Sequence, residues 1–600
     1  MAQPKARRRE FIGMLAGAAA GTAVASVPTR ARAQRAARVG PSDPADLVLL
    51  NANVVTLDAG QPRAEAVAIR DGLIAAVGPA EAVRALVGPA TEVRDLRGLT
   101  VLPGFYDSHY HLLPAGLSLA DVDLSAAQTL ADVLRLIGDR AAATPAGAWI
   151  KTRSLWHESQ LRENRFPTRW ELDAVAPDNP VLILRGGHNV VANSLALQQA
   201  GIDDDSPSPP AGIYVRDADG RLTGHIIERS AFAPLLRLLP RPTREERVQR
   251  LREIIGIFNS VGVTSVVDPA LAPEEMAAYQ ELWEDGDLTL RARLMLRVAP
   301  GHTPAELEMA LATIRGLAFH TGFGNDWVKL AGLKMVMDGG VEANYSREPF
   351  AYTDDPAHPY GQLLISPENF LAVCDLANDL GWQVGVHCVG DAAIDAVLDG
   401  FEATNARRSI VGRRWTLHHM ILPHPEHAEV VHRLGLVVAA QQPLMYSLAP
   451  GWLKYWGRER AARGTPLRWY LDQGFIVGGG ADVGDYPPLL GIWSCVTRET
   501  QLEGVLGREW AVSPAEALRM YTLGSAYVAF EEDQKGSVEV GKLADLVVLG
   551  EDPLAVAPER IRDVEVVSTL VDGRVVFDRD QRVGYQGPHP LALEGGCPCA

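Results

Sequence analysis

Three polar residues that follow a short apolar run have the types and spacing of a metal site. Asp107, His109 and His111 are two residues apart and come after Leu99–Leu102 and a Pro-Gly break. In an extended strand, side chains repeat every second residue, so all three can lie on one face. Neutral imidazole nitrogens are good ligands for zinc and similar metals. Because a His-x-His pair alone is common, a metal site needs further ligands elsewhere in the chain.

Further candidate ligands lie at the ends of later apolar runs. Lys334 stands within such a run, where burial is costly for a charged amine and lowers its pKa. A neutral lysine can react with carbon dioxide to form a carbamate that bridges two metals, whereas a structural lysine paired with Asp338 is the alternative. His387, His419 and Asp482 end three more runs. Together with the two earlier histidines, these residues predict a metal centre.

The elements that position these residues alternate between strands and helices from about residue 98 to 529. This alternation predicts an α/β fold, a (β/α)8 TIM-type barrel with an outer ring of helices, whose catalytic residues lie at the carboxyl ends of the strands. Residues from about 126 to 242 interrupt the alternation and predict a cap inserted over that face. The predicted barrel strands are Val101–Tyr106, Val263–Val267, Leu290–Arg297, Val328–Met337, Gln383–His387, Trp415–His418, Leu436–Ala440 and Phe475–Gly479.

Short strands separated by turns occupy both ends of the chain. Residues 34–97 and 530–580 each contain too few strands to bury one face of a sheet, so we expect them to pair as a composite β-sandwich domain. Asp572-Gly573 marks a hairpin turn in the second half. Residues 581–600 are predicted to be a C-terminal tail, where Cys597 and Cys599 form a metal clip, a redox pair or a frayed end.

Residues 1–33 have the pattern of an export signal. Arg8-Arg9 followed by Glu10 and Phe11 begins an apolar Ala/Gly-rich run that ends near the A-x-A site at Ala31–Ala33. The pattern is typical of a twin-arginine signal peptide, with an ordinary secretory signal as the alternative. The run predicts no stable membrane anchor. We therefore expect a periplasmic or secreted protein.

Composition restricts the class of partner. Lys and Arg number 57 against 74 Asp and Glu, giving a formal net charge of −17, which argues against nucleic-acid binding. Five cysteines are too few for a disulfide scaffold. A small-molecule substrate is the expected partner, and the sequence leaves the oligomeric state open, a homo-oligomer included.

These motifs resemble the amidohydrolase superfamily, in its family 3 branch that includes N-substituted formamide deformylases. The resemblance runs from about residue 45 to 577 and includes the cap motif Gly187-His188. His418 stands where members of the branch usually have Glu, and the register favours His419 over His418 as the ligand. The carrying motifs are Pro103–His111, Lys334–Gly339 with Glu348–Phe350, His387–Asp391, His418-His419, Ala481-Asp482 and Gly536–Asp545.

The resemblance implies a metal-dependent hydrolase that cleaves carbon–nitrogen bonds other than peptide bonds. His109, His111 and Asp482 would hold one Zn²⁺ or other divalent ion, and His387 and His419 a second. N6-carboxylysine at Lys334 would bridge the two ions.

A metal-activated hydroxide would attack the substrate, Asp482 would transfer the proton, and His188 would contact the substrate or its developing oxyanion. Asp107 would support a histidine rather than ligate. N-formyl amines, N-acyl amines and cyclic amides all suit such a site. The alternatives are a mononuclear relative, a metal-dependent lyase or isomerase, and a non-catalytic periplasmic binding protein.

Overall fold

A computed structural model of the chain describes residues 43–154, 156–209, 212–353, 357–483 and 487–587. The predicted signal peptide and the cysteines of the predicted tail, Cys597 and Cys599, lie outside these residues. Within the described ranges, none of the helices combines the length and the apolar content that crossing a membrane requires.

Eight parallel strands form a nearly closed barrel and confirm the predicted (β/α)8 fold. The strands pair in chain order, and Ser108 donates its N–H to the Gly479 carbonyl at 2.9 Å, which links the last strand to the first. Predicted and observed strands overlap at all eight positions. The barrel strands are β1 (Phe105–Asp107), β2 (Val263–Leu271), β3 (Arg291–Arg297), β4 (Val328–Val336), β5 (Val384–Cys388), β6 (Thr416–His419), β7 (Val437–Ala440) and β8 (Val477–Gly479).

Helices cover the outside of the barrel, and several begin with the same local signal. Thr303, for example, accepts the Glu306 N–H at the start of Pro304–Gly316, where proline is tolerated because its missing N–H has no helical partner. The helices outside the cap are Ala80–Arg84, Leu112–Ser118, Arg244–Ser260, Pro273–Glu284, Pro304–Gly316, Pro367–Leu380, Asp391–Arg407, His427–Leu434, Pro443–Arg463, Leu467–Gln473, Pro488–Thr497, Pro514–Arg519 and Ser525–Val528, with shorter turns at Arg508–Trp510, Met520–Gly524 and Pro558–Asp563.

The predicted first barrel strand, Val101–Tyr106, is two strands in the structure. Thr100–Pro103 belongs to an outer sheet, and only Phe105–Asp107 belongs to the barrel. Gly104 separates them, and a side chain there would come within 2.3 Å of Thr264 in β2. The chain can therefore change sheets at this point only with a residue that has no Cβ.

Strands from both ends of the chain share that outer sheet. Leu546–Leu549 pairs antiparallel with Thr100–Pro103, and Val101 and Leu546 are fully buried in the apolar core between the sheets. The chain thus enters the barrel from a sheet that its C-terminal part completes. The six-stranded sheet has the order Arg574–Asp578, Val566–Val571, Leu546–Leu549, Thr100–Pro103, Asn53–Val55, Arg63–Ala64, and the four-stranded sheet has the order Leu73–Gly78, Ala66–Arg70, Leu47–Leu50, Glu92–Asp95.

Between the helices Leu112–Ser118 and Arg244–Ser260 lies an inserted segment, which contains a further five-stranded sheet. Its apolar side chains form clusters of their own, which include Leu172, Val181 and Leu235, all fully buried. The strands run in the order Ile213–Arg216, Leu222–Ile227, Asn189–Ala192, Val181–Arg185, Ile150–Lys151, and the helices of this segment are Leu130–Ala142, Arg169–Val175, Ser194–Gln199 and Arg229–Leu238, with a turn at Glu158–Gln160.

A buried carboxylate closes the amino-terminal end of the barrel. Glu531 is fully buried and contacts Arg293 at 2.6 Å, Lys329 at 3.1 Å and Lys535 at 3.0 Å. Tyr106 of β1 donates its hydroxyl to the same carboxylate at 3.1 Å. One anion therefore joins β1, β3 and β4 to the segment that follows the barrel.

Replacing this anion should destabilise the fold strongly. We expect Glu531→Gln to lower the free energy of unfolding by about 3–5 kcal/mol, because it leaves buried cations without a counter-charge. Asp139→Asn, which removes half of the exposed Arg135–Asp139 pair, is the control and should cost at most about 1 kcal/mol. Urea denaturation measures both. A loss below about 1 kcal/mol for Glu531→Gln would contradict this role.

Candidate metal centre

Two histidines after β1 meet an aspartate after β8. His109 Nε2 lies 3.1 Å from Asp482 Oδ1, and His111 Nε2 lies 3.4 Å from the same oxygen. One ligand atom from each of the three residues falls within 4.8 Å of the other two. Asp482 has a φ of 64°, a left-handed conformation that is strained for a residue with a side chain. The structure thus brings Asp482 to two histidines that lie more than 370 positions earlier in the sequence.

Asp107 holds the two chain segments in this arrangement. Its carboxylate accepts the N–H of His109 at 2.9 Å and the N–H of Ala481 at 3.0 Å. A side chain at Gly480 would come within 2.7 Å of Asp107 Oδ1, so this approach requires glycine. Asp107 therefore fixes the backbone on both sides of the centre rather than facing the ligand atoms.

Hydrogen bonds on the far side of each ring direct Nε2 toward Asp482. His111 Nδ1 donates to the Pro269 carbonyl at 3.1 Å. His109 Nδ1 shares a short hydrogen bond with His418 Nδ1. Metal-ligating histidines commonly use one ring nitrogen in this way, because the bond fixes the tautomer and the ring orientation.

His387 and His419 lie beside this group. The His419 ring centroid is 4.5 Å from that of His387 and 4.9 Å from that of His109. In the sheet register, His387 pairs with His418, so register alone favours His418 and not His419 on the face of His387. The left-handed φ of 71° at His419 ends the strand and brings its ring into the cluster as well. The strand register therefore does not favour His419 over His418, contrary to the sequence argument. The left-handed turn places the His419 ring in the cluster instead.

Lys334 is buried among these histidines. It does not pair with Asp338, the contact that a purely structural lysine would make. Asp338 instead accepts the N–H groups of Val389, Gly390 and Tyr345 at 2.9, 2.9 and 3.0 Å. Burial lowers the pKa of Lys334 to about 7, so the neutral amine is accessible. An amine in this state has the chemistry needed for carbamate formation.

Whether the site suits a metal can be judged from its buried ligand atoms that lack a hydrogen-bond partner. Among the described residues, Lys334 Nζ and His419 Nδ1 are buried and lack a hydrogen-bond partner, whereas His109 Nε2 faces the Asp482 carboxylate. Each unsatisfied polar atom is costly inside a protein, and a bound cation would satisfy the His419 nitrogen. A His, His, Asp set is a normal donor set for zinc and related divalent ions. The residues present therefore fit a divalent metal.

The protonation states also suit metal binding. Burial lowers the pKa of His109 to about 3, which keeps the ring in its neutral, ligating form at neutral pH. Burial would raise the pKa of Asp482, but hydrogen bonds from His109 and His111 outweigh it and hold the pKa well below its ordinary value. The centre thus offers a neutral imidazole at His109 and an ionised carboxylate at Asp482.

His188 reaches the centre from the inserted segment. Its ring centroid lies 5.5 Å from that of His387, and its Nδ1 lies 3.0 Å from Glu228 Oε2. Burial would lower the pKa of His188, but the Glu228 carboxylate outweighs it and raises the pKa to about 9. Sequence reasoning missed Glu228, and the only signal was a carboxylate directly after Ile226-Ile227.

The fold is a parallel barrel, and its His/Asp site lies at the carboxyl ends of the strands. This arrangement suits a barrel hydrolase. Residues 92–577 match the family described as the amidohydrolase family. The chain belongs to this family.

Several relatives and solved structures are similar to this chain over most of their own length. An N-substituted formamide deformylase of Arthrobacter pascens is 32% identical over 557 residues, covering 89% of this chain and 98% of the relative. The protein LONG AFTER FAR-RED 3 of Arabidopsis thaliana is 28% identical, covering 89% and 92%. A crystal structure of a metal-dependent hydrolase from Pyrococcus horikoshii matches with a TM-score of 0.67 at 24% identity, covering 85% and 99%. A second, from Pyrococcus furiosus, matches with a TM-score of 0.64 at 25% identity, also covering 85% and 99%.

Removing one ligand should abolish tight metal binding. We expect His109→Ala to retain less than about a tenth of the parent's metal after dialysis, because Nε2 of this ring is one of three converging donors. His320→Ala removes an exposed histidine that lies far from His109 in the sequence. It is the matched control and should retain the full metal content of the parent. Plasma mass spectrometry gives metal per chain. Equal metal content in His109→Ala and the parent would contradict the assignment.

Proposed function

We propose that the protein hydrolyses the amide C–N bond of an N-formyl or N-acyl amine, giving a carboxylic acid and a free amine. The observation that carries this proposal is the convergence of His109, His111 and Asp482 beside the buried donor atoms Lys334 Nζ and His419 Nδ1, which have no hydrogen-bond partner. The relative named as an N-substituted formamide deformylase supports an amide substrate of this kind.

Zn²⁺ is the proposed ion, held by His109, His111 and Asp482, with His387 and His419 as ligands for a second. A divalent metal at this position supplies the Lewis acidity that makes water nucleophilic near neutral pH and polarises a carbonyl group. Carboxylation of Lys334 would supply two further oxygen ligands between the two groups, and the unpartnered, easily neutralised amine supports it.

Asp482 is the proposed proton carrier. Its carboxylate is ionised and 17% exposed, so it can accept a proton from water and deliver it to the leaving nitrogen. His188, whose side chain is 25% exposed, is proposed to contact the substrate carbonyl group. The inserted segment would thereby contribute a residue to the site.

Turnover of a panel of N-formyl and N-acyl amines tests the proposal. We expect Asp482→Asn to lower kcat about 100-fold or more, because it removes proton transfer at both the water and the leaving nitrogen. Asp139→Asn is the exposed carboxylate control and should leave kcat unchanged. Amine release is measured by chromatography before and after chelation.

Other outcomes of that panel favour the alternatives. Chelator-sensitive turnover with one metal per chain would keep the hydrolase and remove the bridging role of Lys334. Products formed without incorporation of labelled water would favour a lyase or isomerase. A folded parent that binds the panel but turns over none of it would overturn hydrolysis in favour of a binding protein.

We also propose that the twin-arginine route exports the protein to the periplasm or beyond. Support comes from Arg8-Arg9 before Phe11 and the apolar run that follows. Replacing Arg8 and Arg9 together by Lys should leave the precursor in the cytoplasm, whereas Arg30→Lys in the same segment should not change export. Fractionation and immunoblotting measure the distribution. Unchanged export of the double variant would contradict the route.

A further inference from the structure

A tight hairpin of the inserted segment carries His188 to the barrel. Arg185 and Asn189 form the last register pair of the two strands, and Gly186 between them has a φ of 58°. His188 therefore sits at the hairpin tip. A residue at this place is held by backbone pairing on both sides and not by a long loop.

The hairpin tip packs against two consecutive glycines, Gly339 and Gly340. A Cβ at Gly340 would lie 2.9 Å from His188 Cδ2, and a Cβ at Gly339 would lie 2.4 Å from Glu228 Oε1. Gly339 and Gly340 follow β4, the strand that carries Lys334. The two glycines thus make room for His188 and Glu228 beside the metal centre.

Glu228 is bound to His188 in two ways. Its carboxylate oxygens lie 3.1 and 3.0 Å from His188 Nδ1, and its backbone N–H donates to the His188 carbonyl at 2.8 Å. The Glu228 side chain is 2% exposed, and its φ of 68° is left-handed. A buried carboxylate on a strained residue, committed to one imidazole, is an arrangement that proteins maintain at functional sites.

A second carboxylate fixes the hairpin to the barrel. Glu342, in the loop after β4, accepts hydrogen bonds from Asn189 Nδ2 and, at 3.4 Å, from Arg185 Nη1. Arg185 Nε in turn donates to Glu158 at 3.1 Å. The residues on either side of the tip are therefore anchored independently of Glu228, so removing Glu228 should free the His188 ring without releasing the hairpin.

We propose that Glu228 is a positioning residue that holds the His188 imidazole through Nδ1 and leaves Nε2 to contact the substrate carbonyl group. The catalytic consequence of this proposal rests on the proposed function. The positioning of the His188 ring by Glu228 does not. Within the described part of the chain, the His188 ring hydrogen-bonds to Glu228 through Nδ1, which leaves Nε2 available.

A double-mutant cycle separates this role from a general structural one. We expect Glu228→Ala to lower kcat about 100-fold, the size of effect seen when one group that stabilises a developing oxyanion is lost, with metal content unchanged and KM altered less than about threefold. Glu228→Gln, which keeps an acceptor oxygen for Nδ1–H, should recover part of the loss. In the His188→Ala background, Glu228→Ala should change kcat less than about twofold.

Equal losses from Glu228→Ala in both backgrounds would overturn the proposal, because they would show that Glu228 does not act through His188. Asp219→Asn, at an exposed carboxylate of the same inserted segment, is the control and should leave kcat unchanged.

Crystal structures of the parent and Glu228→Ala test the positioning without any substrate. We expect the His188 ring to leave its place over Gly340 while the Arg185–Glu342 contact remains. A ring that stays in place would overturn the proposal. A parent that hydrolyses no amide, combined with a displaced ring, would reject the proposed function while retaining the positioning role.

Discussion

The site depends on the closure of the barrel by the carboxylate of Asp107. By accepting one N–H from the end of β1 and one from the segment after β8, it joins the first and last strands where the ring would otherwise open. The first N–H belongs to His109 itself and the second to Ala481, directly before Asp482, and Asp482 donates its own N–H to the His109 carbonyl at 2.8 Å. The contacts that close the barrel at this end are therefore also the contacts that assemble the candidate metal centre.

Close packing at this end of the barrel restricts backbone and side chains together. Gly480 admits Asp107, and Gly339 and Gly340 admit Glu228 and His188. Left-handed φ values at His419, Asp482 and Glu228 cluster in the same region. Such conformations cost roughly 1–3 kcal/mol each and persist where the surrounding structure determines them. The centre is therefore supported by the rigidity of the barrel and of the hairpin above it.

The sequence predicts the barrel well because its strands are buried apolar runs with polar residues at their carboxyl ends. All eight predicted strands overlap observed ones. The break at Gly104 was not predictable, because it depends on the distance to Thr264 across a strand pair. The placement of His419 depends on a left-handed turn that periodicity does not report, so register reasoning gave the wrong basis for it.

Glu228 shows a further limit of sequence reasoning. Its position after a strand is ordinary, and its contact with His188 depends on the pairing of two strands of the inserted segment and on glycines more than 100 residues away. His109, His111 and Asp482 were predictable because their residue types state their chemistry. Glu228 contributes through another side chain, and only the three-dimensional structure identifies that partner.

The most direct test of the account is anomalous diffraction at the zinc absorption edge from crystals of the metal-loaded protein. The account predicts a strong peak within bonding distance of His109 Nε2, His111 Nε2 and an Asp482 carboxylate oxygen, at about 2.0–2.2 Å from each. A second peak beside His387 and His419, with extra density on Lys334, would add the bridged centre. Metal bound elsewhere, with these three side chains still paired to one another, would contradict the central claim.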